Sequence, residues 1–366
     1  MILSSKVRVL VVDDSAFMRK IVSKILEKDP SIEVIATAKN GIEAIEKTLT
    51  MQPDVVIMDI QMPKMDGLTA LKEIMRRRPT PIIMFSAFAK RDVEITLKAL
   101  EYGAIDLVTK PYGPISLDIS SVAKELIEKV KVASRARLLK RYIKPSVAQH
   151  FLPKVELRGR PLIGIAIAAS TGGPSALMEV VPKIPRGLPV SVFIVQHMPP
   201  FFTKVLAEHL NSRSEIKVKE AEDGEPVLPG VAYVAPGDYH IKIIKNNESI
   251  RIRLFKGPKI HGVRPSADPL MISVAEVFKR NSIGVILTGI GNDGAAGMRA
   301  IKYRKGTTIA QNKETCVVFG MPKAAIELGV VDKVLPLWEI GDEVVRAIKF
   351  KLAIIRGSLK KRRLLN

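Results

Sequence analysis

The sequence predicts an α/β protein with two doubly wound domains, each built on a parallel sheet. Its 366 residues are enough for about two domains of ordinary size. Short apolar runs alternate with amphipathic stretches in both halves, and hydrophobic residues make up 47% of the chain, as in globular proteins. We expect domains at 1–130 and 161–345, a basic linker at 131–160 and a basic C-terminal helix end and tail at 346–366.

Five strand–helix units account for the first domain. Apolar runs predict buried strands at 7–12, 32–38, 54–58, 81–85 and 105–108. Helical periodicity is present near 15–29, 41–51, 67–78 and 91–102. Because parallel strands need a crossover connection, this alternation predicts an open parallel sheet with helices on both faces.

The second domain shows the same alternation on a larger scale. Its predicted strands are LIGIAIAAS, VSVFIVQH, VAYVAP, SIGVILTG and TTIAQ. Its predicted helices lie near 174–183, 200–212, 268–280, 294–303 and 337–353. Two alternating runs within 241–255, separated by Asn246 and Asn247, predict a β-hairpin. The second domain is therefore α/β with a small antiparallel excursion.

The net charge of +21 is concentrated in two short segments. Residues 131–160 have nine basic and one acidic side chain, and residues 346–366 have eight basic and no acidic ones. A nucleic-acid-binding domain would instead carry basic and aromatic residues on a folded face, so we expect no nucleic-acid partner. The two segments either improve solubility or attract an acidic partner or an anionic membrane surface.

Several features predict a cytoplasmic protein. No apolar run approaches the roughly 18 residues that cross a bilayer. Lys6, Arg8 and Asp13 interrupt what would be the apolar part of a signal peptide. Cys316 is the sole cysteine, which excludes an internal disulfide and fits a reducing compartment.

Polar side chains in the first domain follow the predicted strands. Asp13 and Asp14 follow the first strand, Asp59 the third, Ser86 the fourth and Lys110 the fifth. The carboxyl ends of parallel strands share one edge, so these groups can converge there. A hard divalent cation would relieve the repulsion between the carboxylates. Asp59 could then attack a phosphoryl group; the alternative is that these residues cap turns and helices.

The first domain resembles the receiver domain of two-component response regulators. The motifs are VVDDS at 11–15, MDIQMPKMDG at 58–67, FSA at 85–87 and TKP at 109–111. The resemblance implies that Asp59 accepts the phosphoryl group, which Ser86 and Lys110 contact. It implies a Mg²⁺ site formed by Asp13, Asp14, Asp59 and the backbone carbonyl of Gln61.

The receiver resemblance also implies a cis bond before Pro111, and it has one departure. Receivers usually carry an aromatic residue three positions before the lysine, and this sequence has Leu107. The aromatic rotamer switch of the family therefore lacks its side chain here.

Three chemically suitable residues follow predicted strands of the second domain. Ser170 follows an apolar strand and precedes two glycines and a helix, His197 ends VFIVQH, and Asp293 follows SIGVIL. They can act as a nucleophile, a base and an orienting carboxylate, because geometry and not chain order defines a triad. For Ser170, an N-cap or phosphate-binding role is the alternative.

Two other chemistries remain open for this domain. Gly289, Gly291 and Gly294 form G-x-G-x-x-G with Glu314 20 residues further on, which is the dinucleotide fingerprint. Glu314, however, lies beyond the end of the next predicted strand. Cys316 offers a thiol nucleophile but has no neighbouring histidine, which favours a buried inert thiol.

The second domain resembles the catalytic domain of chemotaxis protein-glutamate methylesterases of the CheB type. The matching segments are ASTGGPSAL at 169–177, VQHMPPFFT at 195–203, YVAPGDYH at 233–240, PSADPLM at 265–271 and LTGIGNDGAAGM at 287–298. The resemblance implies hydrolysis of glutamate γ-methyl esters on chemoreceptors and deamidation of receptor glutamines, without a cofactor for the hydrolysis. It implies catalytic roles for Ser170, His197 and Asp293, with Thr171 and Ile290 beside the oxyanion.

The family resemblance also implies partners and regulation. The expected substrates are chemoreceptors, which would bring the enzyme near membrane receptor arrays, and the expected phosphoryl donor is a chemotaxis histidine kinase. The unphosphorylated receiver is expected to cover the catalytic cleft until Asp59 is phosphorylated. Two alternatives stay open: a response regulator with a binding output, and a nucleotide-dependent enzyme.

Overall fold

The computed structural model describes residues 6–86, 90–110, 119–136, 162–246 and 249–364, without the side chains of 90–91, 119–121 and 358–364. The chain divides into two compact units, Met1–Lys140 and Arg141–Asn366. Most of the expected linker, residues 137–160, lies outside the described residues, as do Ala87, Pro111 and Pro161.

The first unit contains a five-stranded parallel sheet, as predicted. Its strands are β1 (Val7–Val12), β2 (Ile32–Ala38), β3 (Val55–Asp59), β4 (Ile82–Ser86) and β5 (Asp106–Thr109). The strand order is β2-β1-β3-β4-β5, and every neighbouring pair is parallel. Because β1, β3 and β4 lie in the middle of the sheet, the residues that follow them meet at one edge.

Five helices cover the faces of this sheet. They are α1 (Ala16–Leu26), α2 (Gly41–Met51), α3 (Gly67–Arg77), α4 (Lys90–Glu101) and α5 (Ile119–Ala133). The side chains of Ser15, Asn40 and Asp66 accept backbone N–H groups at the starts of α1, α2 and α3. Ser15 is therefore a helix cap, whereas the side chain of the neighbouring Asp14 is exposed.

The second unit contains a larger parallel sheet and the predicted hairpin. Its strands are β6 (Ile163–Ala169), β7 (Val190–Gln196), β8 (Lys217–Glu220), β9 (Val231–Val234), β10 (His240–Lys245), β11 (Ile250–Phe255), β12 (Ser282–Ile286), β13 (Thr307–Gln311) and β14 (Lys333–Leu335). The sheet order is β14-β13-β12-β6-β7-β9-β8, with all pairs parallel, whereas β10 and β11 are antiparallel.

The helices of the second unit include one segment that the sequence pattern does not predict. They are α6 (Gly173–Val180), α7 (Phe202–Arg213), α8 (Ala267–Phe278), α9 (Ala295–Tyr303), α10 (Met321–Glu327) and α11 (Leu337–Leu364). Helix α10 and the edge strands β8 and β14 are absent from the sequence prediction. All three are short, so each carries little hydrophobic periodicity.

Burial explains why the central strands are easy to recognise. Every residue of β6, β7 and β12 is buried, because helices cover both faces of the sheet. The hairpin strands instead alternate, and Ile241, Ile243, Ile250 and Ile252 lie in the same apolar core as helix α8.

Helix α11 extends further than its periodicity predicts. The sequence pattern indicates a helix near 337–353, and the helix continues to Leu364. Its first half packs through Ile340, Val344 and Ile348, and Lys351 is its last buried residue among those whose side chains are described. None of the described helices combines the length and apolar character needed to cross a bilayer.

Candidate functional site

Ser170 and His197 follow two neighbouring strands at the same level of the sheet. Strands β6 and β7 pair in register, with Ala169 opposite Gln196, and the His197 amide donates to the Ala169 carbonyl at 3.1 Å. Ser170 and His197 are the next residues of the two strands. Neighbouring strands lie about 4.8 Å apart, so the fold brings these two positions together at the carboxyl edge.

Ser170 is also tied to the strand on its other side. Its amide donates to the Thr288 carbonyl at 3.0 Å, just past the end of β12. A Cβ on Gly289 would lie 2.7 Å from the Ser170 Cβ, so only glycine leaves room for the serine there. The Ser170 residue is 9% exposed, which places it in the centre of the edge with a small opening to solvent.

Gln196 joins the backbones of the two candidate catalytic residues, and sequence reasoning missed it. Its side-chain Nε2 donates to the Ser170 carbonyl at 2.9 Å and to the His197 carbonyl at 3.2 Å. Its Oε1 has no hydrogen-bond partner among the described residues. A Cβ on Gly173 would lie 2.0 Å from this oxygen, so the glycine makes the contact between α6 and Gln196 sterically allowed. A polar residue ending an otherwise apolar strand was the available signal.

Asp293 contacts the imidazole of His197. The His197 Nε2 lies 2.7 Å from Asp293 Oδ2, and both side chains are largely buried. Burial by itself would raise the pKa of Asp293, but hydrogen bonds from His197, Ser266 and the Ala267 amide outweigh it and hold the pKa below its usual value. Asp293 is therefore a carboxylate at neutral pH and can stabilise an imidazolium.

The start of helix α8 supplies the remaining donors to Asp293. The Ser266 hydroxyl donates to Oδ1 at 2.6 Å, the Ala267 amide to Oδ2 at 2.7 Å and the Asp268 amide to Oδ1 at 3.3 Å. A helix N-terminus favours an anion through its free N–H groups and its dipole. Sequence reasoning did not assign Ser266 this role, although a serine before a helix is a recognisable cap signal.

A second histidine–carboxylate pair lies against this network. His261 Nε2 is 2.9 Å from Asp268 Oδ2, and the Gly297 amide donates to Asp268 Oδ1 at 2.7 Å. The ligand atoms of His261, Asp268 and Asp293 all lie within 4.8 Å of one another. Protein N–H and O–H donors already bond each of these carboxylate oxygens, so the group acts as a hydrogen-bonded support between α8 and α9.

The glycine-rich segment after β12 is fixed by its neighbours along the edge. The Gly289 amide donates to the Val318 carbonyl at 3.0 Å, and the Thr288 hydroxyl donates to the Thr171 carbonyl at 2.9 Å. Thr171 is buried and Ile290 is half-buried. Gly289 of this segment thus allows close packing against Ser170 and its neighbours. This packing accounts for the first glycine of the pattern, so the pattern does not by itself require a dinucleotide.

The two residues of the alternative chemistries are placed unfavourably. Glu314 is exposed and lies beyond the end of β13. Cys316 is buried, and burial together with the nearby Glu314 charge raises the pKa of its thiol to about 12. A thiol with this pKa is protonated at neutral pH and is a poor nucleophile.

In the first unit, the predicted acidic cluster converges as expected. Carboxylate oxygens of Asp13, Asp14 and Asp59 lie within 4.8 Å of one another. Lys110 Nζ is 2.8 Å from both Asp13 Oδ2 and Asp59 Oδ2. The Ser15 amide bonds the other Asp13 oxygen at 2.9 Å. The cluster therefore combines three carboxylates and one ammonium at the edge of the sheet.

Burial perturbs the ionisation of this cluster. It raises the pKa of Asp59 to about 6, with Asp13 adding to the rise and Lys110 opposing it. Burial would lower the pKa of Lys110, but the two carboxylates outweigh it and the pKa is raised. Three carboxylates crowded around one ammonium repel each other, and the charge of Asp13 adds to the effect of burial in raising the pKa of Asp59. A hard divalent cation with oxygen ligands would relieve this repulsion, so these residues fit Mg²⁺.

The remaining receiver residues lie next to the cluster. Ser86 is buried at the end of β4, where its hydroxyl accepts from Thr96 at 2.9 Å and its carbonyl accepts from the Lys110 amide at 2.8 Å. The side chain of Gln61, two residues after Asp59, donates to Asp92. Leu107 is buried within β5, where the receiver pattern usually has an aromatic side chain.

Together, the fold and the two clusters describe a protein that joins a receiver-like unit to a larger α/β unit with a parallel sheet. Residues 165–344 match the family model of the CheB methylesterase, and residues 9–119 match that of the response regulator receiver domain. A protein-glutamate methylesterase/protein-glutamine glutaminase from Pyrococcus abyssi is 50% identical over 358 residues, which cover 96% of this chain and 95% of the relative. The chain belongs to this family.

Other relatives span a wide range of organisms. The protein of the same name from Thermotoga maritima is 45% identical over 342 residues, which cover 93% of this chain and 98% of the relative. The crystal structure of the Thermotoga maritima CheB methylesterase catalytic domain is 46% identical and aligns with a TM-score of 0.49, covering 53% of this chain and all of that one.

Proposed function

We propose that this protein is a phosphorylation-regulated serine hydrolase of chemotaxis adaptation. It removes methyl groups from glutamate γ-methyl esters of chemoreceptors, releasing methanol, and deamidates specific receptor glutamines. The observation that carries the proposal is the edge of the second sheet. There Ser170 and His197 follow paired strands, and His197 Nε2 lies 2.7 Å from the Asp293 carboxylate.

The arrangement supports a Ser170–His197–Asp293 triad. Nε2 of His197 faces Asp293, so in the proposed mechanism the other ring nitrogen, Nδ1, takes the Ser170 proton. The serine Oγ attacks the ester carbonyl as the proton moves to the imidazole, and Asp293 stabilises the imidazolium. The tetrahedral intermediate then collapses, the C–O bond to the methoxy group breaks, and His197 returns the proton so that methanol leaves.

Backbone amides at Thr171 and Ile290 would stabilise the oxyanion. Thr171 directly follows Ser170, and α6 starts at Gly173, three residues after Ser170, so the helix N-terminus also favours developing negative charge. Losing one such donor typically lowers the rate by roughly 10²–10³. Water, activated by His197, then hydrolyses the acyl-enzyme and releases the receptor glutamate. A glutamine substrate follows the same steps with ammonia as the leaving group.

The first unit supplies the regulation. Asp59 accepts a phosphoryl group from a chemotaxis histidine kinase, and Ser86 and Lys110 contact its oxygens. Asp13, Asp14, Asp59 and the Gln61 carbonyl would hold Mg²⁺, which when bound neutralises charge during phosphoryl transfer. Phosphorylation of Asp59 relieves a restraint on the hydrolase.

We assign these roles to domains as the sequence predicts. Residues 1–130 are the regulatory domain, residues 161–345 are the catalytic domain, and 131–160 connects them. Residues 346–366 form a basic C-terminal segment whose charge suits an acidic receptor.

The deciding experiment measures methanol release from a methylated receptor fragment. Replacing Ser170 by Ala should lower the release by at least about 10³-fold, because the nucleophile is lost. The matched control is Ser175→Ala, an exposed serine on the adjacent helix α6, which should keep full activity. Undiminished methanol release by the Ser170→Ala variant would refute the serine mechanism.

A further inference from the structure

Phe201 combines a strained backbone with an apolar side chain that gains little from burial. Its backbone has φ +69°, a left-handed conformation that bulky side chains rarely adopt. Its ring is also left largely in solvent, with 67% of the residue exposed. A large apolar side chain normally offsets backbone strain through burial, and this one does not.

Local structure does not explain a phenylalanine at this position. Phe201 is the residue before helix α7, and its side chain makes no capping hydrogen bond. Phe201 contributes to the helix start only through its backbone carbonyl, which accepts from the Val205 amide at 3.3 Å. Any residue could make this hydrogen bond. The following Phe202 is fully buried and provides the packing of the helix start. Glycine would adopt the same backbone conformation without strain.

The position of Phe201 links it to the catalytic edge. It follows His197 by four residues, within the short connection from β7 to α7. The adjacent strand β9 leads into a loop that touches this connection, because a Cβ on Gly237 would lie 2.3 Å from the Pro200 nitrogen. That loop presents Tyr239, which is 38% exposed. Two exposed aromatic residues therefore lie in touching loops that follow the neighbouring strands β7 and β9, at the same edge of the sheet as His197.

Tyr239 is held in place by charged neighbours. Lys256 Nζ lies 4.8 Å from the centre of the tyrosine ring and 3.2 Å from Asp238 Oδ2. Arg264 pairs with the other Asp238 oxygen. Asp238 itself has φ +66°, a second left-handed residue in the same region. Strained residues cluster where function requires a fixed geometry.

We propose that Phe201 and Tyr239 form an aromatic rim that binds the receptor helix carrying the methyl ester. The inference rests on the proposed function, in which the substrate is a side chain of a folded protein and not a free ester. Exposed aromatic rings offer large apolar contact at little entropic cost, and they bind aliphatic side-chain stems and methyl groups. The rim thus positions the helix while the ester reaches Ser170.

Phe201→Gly tests the rim in the full-length protein. We expect the KM for a methylated receptor fragment to rise about tenfold, with a much smaller change in kcat, because binding is lost and not chemistry. We also expect an unchanged or higher denaturation midpoint, because glycine relieves the strained φ. If Phe201 served stability, its replacement by glycine would lower the denaturation midpoint. Phe201→Tyr, which keeps an aromatic ring, should have the KM of the original protein.

The matched control is Tyr303→Ala. Tyr303 is 82% exposed and ends α9, so it lies at the far end of the helix from Asp293 and should leave the KM unchanged. Binding of the fragment to Ser170→Ala, with and without Phe201→Gly, measures the rim independently of turnover. Equal affinities in that pair would overturn the rim even if methanol release confirms the hydrolase. A higher activity of unphosphorylated Phe201→Gly at unchanged KM would also overturn the rim, because Phe201 would then help to inhibit the unphosphorylated enzyme and not bind the substrate.

Discussion

At the residue scale, environment shifts the pKa values of two buried carboxylates in opposite directions. Asp293, in the loop between β12 and α9, contacts the start of α8 and receives four hydrogen bonds, which hold its pKa below the usual value. Asp59 has a like-charged neighbour and fewer donors, and burial raises its pKa to about 6. Asp293 therefore stays ionised at neutral pH and is suited to stabilising a neighbouring cation. Asp59 is suited to a cluster whose charge changes on binding a metal or a phosphoryl group.

The raised pKa of Asp59 predicts a pH-dependent stability of the first unit. The folded pKa of about 6 exceeds the ordinary 3.8, so the folded state binds more protons between these values and loses stability as the pH rises through them. In metal-free buffer at pH 8, Asp59→Asn should stabilise the unit by up to about 3 kcal/mol. The gain should shrink as the pH falls below 6 and vanish below 3.8.

Hydrogen exchange of β1 and β3 amides in the full-length protein measures this effect without interference from the second unit. The control is Glu46→Gln, which removes an exposed carboxylate from α2 and should change little. A gain that stays constant from about pH 8 to about pH 4 would show that the carboxylate charge is not the cause.

At the element scale, strand register and helix starts assemble the hydrolase edge. The pairing of β6 with β7 and β12 sets Ser170 between His197 and Thr288, whereas the start of α8 holds Asp293. Close contacts between elements require glycine at several points, among them Gly173 and Gly289. The site therefore depends on how closely α6 and the loop after β12 approach the sheet.

Gly173→Ala should misplace the nucleophile. The new Cβ would lie 2.0 Å from Gln196 Oε1, so the amide must move and release the Ser170 and His197 carbonyls. We expect kcat for methanol release to fall by roughly 10²-fold, since small displacements of catalytic groups have effects of this size. The substitution should also lower the free energy of unfolding, and adding Gln196→Ala should recover part of that loss, because only the contact with the Ala169 Cβ at 2.8 Å then remains.

The matched control for this substitution is Gly357→Ala. This glycine lies in α11, and a Cβ added to it would meet no neighbouring atom within 4 Å, so alanine should be neutral or stabilise the helix by about 1 kcal/mol. An active Gly173→Ala variant of normal stability would show that Gln196 can rearrange freely.

At the scale of the whole molecule, the chain forms two compact units, to which we have assigned regulation and chemistry respectively. Each has its own parallel sheet, and each places its reactive side chains at the carboxyl edge. Suppose that the chain has an inhibited and an active state. A phosphoryl group on the first unit then changes activity in the second only if it shifts the free-energy difference between these two states. The coupling is therefore measurable as a change in rate.

A small-molecule phosphoryl donor with Mg²⁺ should raise the methanol release of the full-length protein severalfold. Asp59→Asn and chelation by EDTA should each abolish the rise but leave the basal rate, because neither changes the proposed triad. Asp54→Asn, at an exposed aspartate just before β3, is the control and should respond like the original protein. A response that persists in Asp59→Asn would place the phosphoryl acceptor elsewhere.

Most of the fold is predictable from the sequence because its signals are local. Continuous apolar runs identify the buried central strands, whereas β8, β14 and α10 are too short to show a period. Helix α11 continues to Leu364, past the predicted end near 353, because its periodicity fades before the helix does. The convergence of Asp13, Asp14 and Asp59 follows from strand ends alone.

Periodicity and motifs are written along the chain, so the two α/β sheets, the family and the residue types that follow each strand can all be derived from the sequence. The contacts between distant groups cannot: Gln196 on two carbonyls, the start of α8 on Asp293, and the strained, exposed ring of Phe201 emerge only in three dimensions. These features depend on register, burial and close approach between segments far apart in the chain. The pKa directions of Asp59 and Asp293 depend on the same long-range packing.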